Sequence, residues 1–172
     1  MLYPARQDTL RVGARMRNAA FVSVTAVNDT NIYAAADLVG GLLTFDLKGV
    51  LDEHQALILD QVLITDLDKQ GGDFDLLVFK SNPSGTTFTE NSALDVADAD
   101  LAKLVGFVQI TGDALLNDNG AAMVRNLGLL VPAPADPVSR KLYCALVDRT
   151  TTPTYTTTSA LVVTLGFRPV PV

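Results

Sequence analysis

Short apolar runs recur at close intervals along this chain, and no segment of ten or more residues between them shows a convincing 3.6-residue period. That pattern decides the fold class, because a parallel α/β sheet needs crossover helices of about ten residues or more. Counting the runs gives roughly eight to ten strands and one or two helical turns. The expectation is an all-β chain, an antiparallel β-sandwich of jelly-roll type with extended N- and C-terminal arms. The organising stretch is residues 73–110. It opens as a strand in which Phe74, Leu76, Val78 and Lys80 alternate with Asp75, Leu77, Phe79 and Ser81; large apolar groups on both faces predict a central strand. It breaks at Ser81-Asn82-Pro83-Ser84-Gly85, since Pro83 has no amide hydrogen for a ladder and Gly85 tolerates positive φ. An excursion follows. It is expected to hold a short helix over 98–105, capped by Asp98 and turning Leu101, Leu104 and Val105 to one side, before the run 104–110 returns to the sheet.

Residues 21–27 alternate strictly, with Phe21, Ser23, Thr25 and Val27 on one side and Val22, Val24 and Ala26 on the other; 28–31 then make a turn. Residues 32–39 and 42–47 read as a strand pair that changes direction at Gly40-Gly41, where a bend or bulge is permitted. Residues 56–65 give a long strand, and 66–72 a hairpin turn into the organising stretch. Weak helix and turn signals fill 111–124, a short strand follows over 125–131, and Pro132, Pro134 and Pro137 make a surface connection. Strands over 142–147 and 160–167 flank a threonine-rich loop. The expected organisation is a basic arm over 1–20, a jelly-roll domain over 21–167 and an extended tail over 168–172.

At 172 residues and 48% hydrophobic, the chain can bury a proper core as one domain. Tryptophan is absent and aromatics make up 6%, so that core must come mostly from Val, Leu, Ile and Ala. No run of about 18 apolar residues is available to span a bilayer. The N-terminus has no continuous apolar segment behind its positive charges, so no membrane partner is expected and maturation in the cytoplasm is. One cysteine, Cys144, leaves no intrachain disulfide and no multi-cysteine zinc site.

Charge is unevenly placed. Residues 1–17 hold Arg6, Arg11, Arg15 and Arg17 against Asp8, a local +3; residues 18–139 hold five basic and 17 acidic groups, a local −12. The remainder returns to +3 through Arg140, Lys141, Arg149 and Arg168 against Asp148. Basic ends on an acidic body suggest arms that contact acidic surfaces, neighbouring copies included, with a solvated terminus as the plainer alternative. Nucleic acid is not an expected partner, because the body would repel phosphates and no aromatic residues interleave with the basic ones.

The candidate sites are weak. The acidic segment Asp66-Leu67-Asp68-Lys69-Gln70-Gly71-Gly72-Asp73-Phe74-Asp75 resembles the opening of a calcium loop, but position 5 is Gln70 and position 12 is Leu77, so the closing ligand is missing. A solvated turn explains it better. Asp95, Asp98 and Asp100 suit the N-terminus of a short helix better than a metal. His54 would have to serve any Ser-His-Asp hydrolase, yet Ser81, Ser84 and Ser92 lie in no nucleophile elbow. Cys144 reads as a small core residue. Residues 150–159 read as an ordered loop, with edge pairing or hydroxyls offered to a partner as alternatives. No enzyme, cofactor or metal is expected.

Four segments in order, ADLVGGLLTF (36–45), DLLVFKSNPSGTTFTENSALDVADADLAKLVGFV (75–108), LYCALVDRTTTPTY (142–155) and SALVVTLGF (159–167), resemble a family of small proteins from the structural gene blocks of tailed bacteriophages. Characterised relatives are capsid decoration, or cement, proteins. The resemblance implies a jelly-roll homotrimer on the outside of the virion, bridging capsomers of the major capsid protein, with Arg6, Arg11, Arg15 and Arg17 on an arm that touches the capsid or a neighbouring subunit. The competing readings are a receptor- or glycan-binding module of a head or tail fibre and a neck or tail component.

Overall fold

The computed structural model describes residues 20–48, 56–112, 114–132, 140–149 and 152–170. The basic residues of the arm, His54 and most of the proline-rich connection lie outside them. The described elements are β1 (Ala20–Thr25), β2 (Leu38–Asp46), β3 (Leu57–Asp66), β4 (Phe74–Phe79), α1 (Asp98–Leu101), β5 (Leu104–Ile110), β6 (Ala114–Leu116), β7 (Asn119–Val131), β8 (Lys141–Asp148) and β9 (Leu161–Pro169).

All strand pairs are antiparallel, and they form two sheets, β1-β9-β3-β7-β6 and β2-β8-β4-β5. The pairs nest: β1 with β9, β2 with β8, β3 with β7, β4 with β5. The chain is therefore one long hairpin rolled up, closed where β3 meets β9 and β4 meets β8. That is the jelly roll. Its tip is the segment between β4 and β5, which is why the stretch over 73–110 organises the rest.

Alternation along each strand supplies the core. Leu59, Val62 and Ile64 of β3, Val163, Leu165 and Phe167 of β9, Leu76 and Val78 of β4 and Cys144 and Leu146 of β8 are all buried between the sheets. At roughly 1.5–3 kcal/mol for each large side chain removed from water, this layer dominates the stability. β4 is central, between β8 and β5, and its second apolar face is also covered.

Several expectations need correction. Residues 32–47 are not a strand pair: β2 is one strand with a bulge between Val39 and Leu42. Gly40 and Gly41 fill the bulge at φ +84° and +64°, and a Cβ on Gly40 would lie 2.5 Å from that of Ala26. Residues 66–72 do not close a hairpin, because β3 and β4 lie in different sheets. The 111–124 segment is no helix; β6 and β7 form a hairpin whose turn is set by Asn117 at φ 58°. Asp98 does not cap α1. The N-cap is Ala97, without a side-chain hydrogen bond, and Leu101 points to solvent at 51% exposure. β9 runs to Pro169, so Arg168 and Pro169 belong to the sheet rather than to the tail.

Candidate functional site

The tip of the hairpin does not hang free. Residues 80–103 cross the outer face of the β2-β8-β4-β5 sheet and cover its β2, β8 and β4 part, while Phe107 of β5, beside Leu77 on the same face, stays 60% exposed. Phe79 of β4, Ala145 of β8 and Leu38 of β2 point outward and are nevertheless buried, beneath Phe88, Leu94 and Val96 of the excursion. Phe79 and Phe88 meet edge to face with centroids 6.3 Å apart. At its far reach the excursion pairs with the free edge of β2: Asn91 N donates to Leu38 O at 3.0 Å, Leu38 N to Ser92 O at 3.0 Å and Leu94 N to Ala36 O at 3.0 Å. The start of an edge that would otherwise be open to another strand is thus covered by the chain itself.

Two carboxylates hold the excursion. Glu90 Oε2 accepts from Gly41 N at 2.9 Å and from Gly40 N, both amides of the β2 bulge, while Oε1 accepts from Asp29 N at 3.2 Å and from the Tyr33 hydroxyl. Burial raises the Glu90 carboxyl above its ordinary value against the lowering effect of those bonds. The same burial, with the Glu90 bond, pushes the Tyr33 phenol up. At the other end, Asp100 is buried and ties both limbs together, with Lys103 Nζ at 2.7 Å and the Thr86 hydroxyl donating at 2.8 Å. The Lys103 bond is the main reason its carboxyl lies below the ordinary range. Of the three expected aspartates, Asp100 is the one with a task, and it works as a tie between chain segments rather than as a helix cap.

The acidic turn and the threonine-rich loop close on each other. Asp66 accepts from the amides of Asp68 at 2.8 Å and Gln70 at 2.6 Å, and so shapes its own turn. Asp68 accepts from the Thr156 amide at 2.7 Å, the Thr156 hydroxyl at 2.7 Å and the Thr157 amide at 3.3 Å. Burial works to raise the Asp68 carboxyl, and these bonds outweigh it, so the group sits below its ordinary value. Asn28, 1% exposed, donates to Thr157 O at 2.7 Å and accepts from Ala160 N at 3.1 Å. Tyr155 lies buried edge-on against Tyr33, centroids 5.7 Å apart. The oxygens that suggested a calcium loop are spent on backbone amides, and among the described residues no group of three His, Cys, Asp or Glu is placed to hold a metal ion. Cys144 is fully buried and its thiol is pushed up by that burial.

Among the described residues, two open surfaces stand out. One is a groove of about 410 Å³ on the excursion, lined by Thr86, Thr87, Thr89, Ser92 and Asp95. The other is the outward face of the β1-β9-β3-β7 sheet. The register sets its rows: Phe21, Gly166, Gln61 and Arg125; then Ser23, Thr164, Leu63 and Met123; then Thr25, Val162, Thr65 and Ala121. Arg125 is the one charged residue in those rows. A further row, Arg168, Ile58 and Leu130, adds an ion pair between Arg168 and Asp60 at 3.3 Å. The sequence pointed to neither Glu90 nor this face. Glu90 stands alone among threonines in TTFTEN, and its partners come from three distant segments. The neutral face was implicit in the alternation, but needed the register to align four strands.

No protein-family model and no curated protein matches the chain. Among solved structures the chain aligns with one from Israeli acute paralysis virus, a full particle heated to 63 degrees: 13% identity, 98% of this chain, 81% of that one, TM-score 0.35. It also aligns with Turnip yellow mosaic virus (12% identity, 100% of this chain and 89% of that one, TM-score 0.30) and with the native virion of Kashmir bee virus at neutral pH (14%, 97% and 79%, TM-score 0.30). The assignment of the jelly roll rests on the strand order, and these alignments add no functional weight to it.

Proposed function

We propose that this chain is a structural virion protein: a decoration, or cement, protein that binds the outside of a tailed-phage head, associates with itself as a trimer, and ties together capsomers of the major capsid protein. The observation that carries the reading is where the family-like sequence falls. The segment over 75–108 coincides with β4, the excursion and β5, so the part that resembles the phage family is an element of shape, held by Glu90, Asp100 and a second small core. Cementing needs area more than chemistry, because weak contacts repeated by symmetry add through avidity. The basic arm, with Arg6, Arg11, Arg15 and Arg17, lies on the shell or a neighbouring subunit in this account; its charge opposes that of the acidic body.

The test mixes the purified chain with expanded heads that lack it and measures occupancy after sedimentation. Saturable binding is expected, reduced when residues 1–17 are removed while near-ultraviolet circular dichroism stays the same. Absence of co-sedimentation at any concentration tried would sink the reading. The hydroxyl-lined groove favours one alternative, a glycan-binding module of a fibre. Retention on host polysaccharide that Asp95→Ala abolishes would select it.

A further inference from the structure

We propose that the chain meets its partner with one end of the sandwich, the end at which β1 begins, and that the partner presents an acidic protein surface. The decoration reading, on which this inference rests, makes that surface the outside of the shell. The pairing register sorts the chain into two ends. Thr25, Leu38, Asp66 and Asp148 close one; Ala20, Asp46, Leu57 and Lys141 close the other. Ala26, just after Thr25, lies against Gly40 of β2, which brings the matching ends of the two sheets together. At the first end, residues 26–37, 66–75, 117–118 and 148–149 with Glu90 hold nine carboxylates and two cations, a local −7. At the second, residues 46–48, 57–60, 98–103 and 140–141 with Lys80 and Arg168 hold four carboxylates and six cations, a local +2. Residues 1–17 lead into Ala20 at this second end, and their net +3 offsets Asp52, Glu53 and Asp136 of the segments 49–55 and 133–139. The negative charge read from the sequence as a property of the whole body is concentrated at one end of it.

Distance lets the two ends act separately. β3 has 10 residues, and at about 3.3 Å each it sets the ends roughly 33 Å apart, several Debye lengths of about 8 Å at physiological salt. A surface therefore meets the charge of one end without that of the other. An acidic surface is repelled by the first end and attracted by the second. The acidic end is also tied up in itself, with Asp68 bonded to Thr156 and Asn28 to Thr157 and Ala160. At the basic end Lys48, Lys80 and Lys141 are exposed. Leu101 and Leu130, 51% and 54% exposed, lie toward the same end and supply apolar contact beside the charges. Asp46, Asp60 and Asp98 interleave with the cations there. Such a mixed surface suits the scattered carboxylates of a protein better than the unbroken negative charge of a phosphate backbone.

The test uses the full chain, expanded empty heads that lack it, and lysine acylation read by mass spectrometry. The lysines report orientation, because Lys69 stands at the acidic end and Lys48, Lys80, Lys103 and Lys141 at the basic end. On heads, Lys48 and Lys141 are expected to be acylated several-fold more slowly than in the free chain, with Lys69 unchanged. Lys141→Glu and Lys69→Glu alter the net charge equally. The first should raise the dissociation constant from heads about 5-fold and the second leave it as it was, with circular dichroism melts confirming that both variants fold. No co-sedimentation of the unaltered chain would overturn the decoration reading and this inference together. Saturable binding in which Lys69 is the protected lysine, in which Lys69→Glu weakens binding as much as Lys141→Glu, or from which single-stranded DNA displaces the chain would overturn this inference alone.

Discussion

Replacing Gly40 and Gly41 separately by alanine distinguishes two costs at one bulge. Both residues hold positive φ, +84° and +64°, and an L side chain there costs about 1 kcal/mol. For Gly41 that is the whole expectation, because the nearest atom to a new Cβ, Phe88 O, is 4.0 Å away. For Gly40 the new Cβ falls 2.5 Å from Ala26 Cβ and 3.0 Å from its Cα, and Ala26 is fully buried with backbone fixed by a 2.9 Å bond from its amide to Leu161 O. Neither side can move cheaply, and overpacking of this kind adds about 1–3 kcal/mol. Gly41→Ala should therefore lower the thermal midpoint by about 2–4 °C and Gly40→Ala by about 4–16 °C, taking about 2–4 °C per kcal/mol for a domain of this size. Circular dichroism melts of both variants check this. Equal midpoints would refute the reasoning, since they would mean that the contact with Ala26 does not constrain the bulge.

Glu90→Ala removes the shared acceptor of three amides and the Tyr33 hydroxyl, and is expected to cost about 2 kcal/mol and to speed amide exchange across 88–94, with little change in β6 and β7. Acid should destabilise the fold in a defined window. The Asp29, Asp68 and Asp100 carboxyls sit below the ordinary 3.8, so the stability they contribute is complete above that value and is lost as pH falls through their folded values. Glu90, raised above 4.5, has the opposite sign: the folded state takes up its proton first and gains stability as pH falls through that raised value. Urea midpoints from pH 7 to 2.5 should therefore fall chiefly below about 3.8, and a steady decline beginning near neutrality would contradict the assignment. Cys144, buried with its thiol pushed up, should react with a thiol reagent no faster than the chain opens, and fast labelling of the native protein would show that the core around it is not closed.

The β-class of this chain was legible because alternation is local: β3, β4, β8 and β9 each carry their inward face in consecutive residues. The central place of β4 was legible as well, since Leu77 and Phe79 can be apolar on the second face only if something covers it. What covers it was not legible, because Phe88, Leu94 and Val96 are spaced irregularly along a coil and acquire their role from Tyr143 and Ala145, some 50 residues later. The turn at 66–72 was misread for a related reason. Its glycines suit a hairpin, and which strands pair is decided by the nesting of distant partners rather than by the turn. β7 was seen only in its second half, 125–131, because Asn119-Gly120 reads as a turn and Ala121-Ala122 carries little strand preference. The carboxylate ties were missed because Glu90 and Asp68 find partners 49 to 89 residues away, and Asp100 joins its neighbour Lys103 to Thr86, 14 residues back.

Cryo-electron microscopy of intact particles tests the central claim most directly. The account predicts that the two-sheet sandwich, with its 80–103 excursion, is traceable as density on the outer surface of the head, in copies that touch one another and the shell. Heads without such density, in particles whose tail or neck carries the same sandwich, would keep the fold and contradict the decoration role.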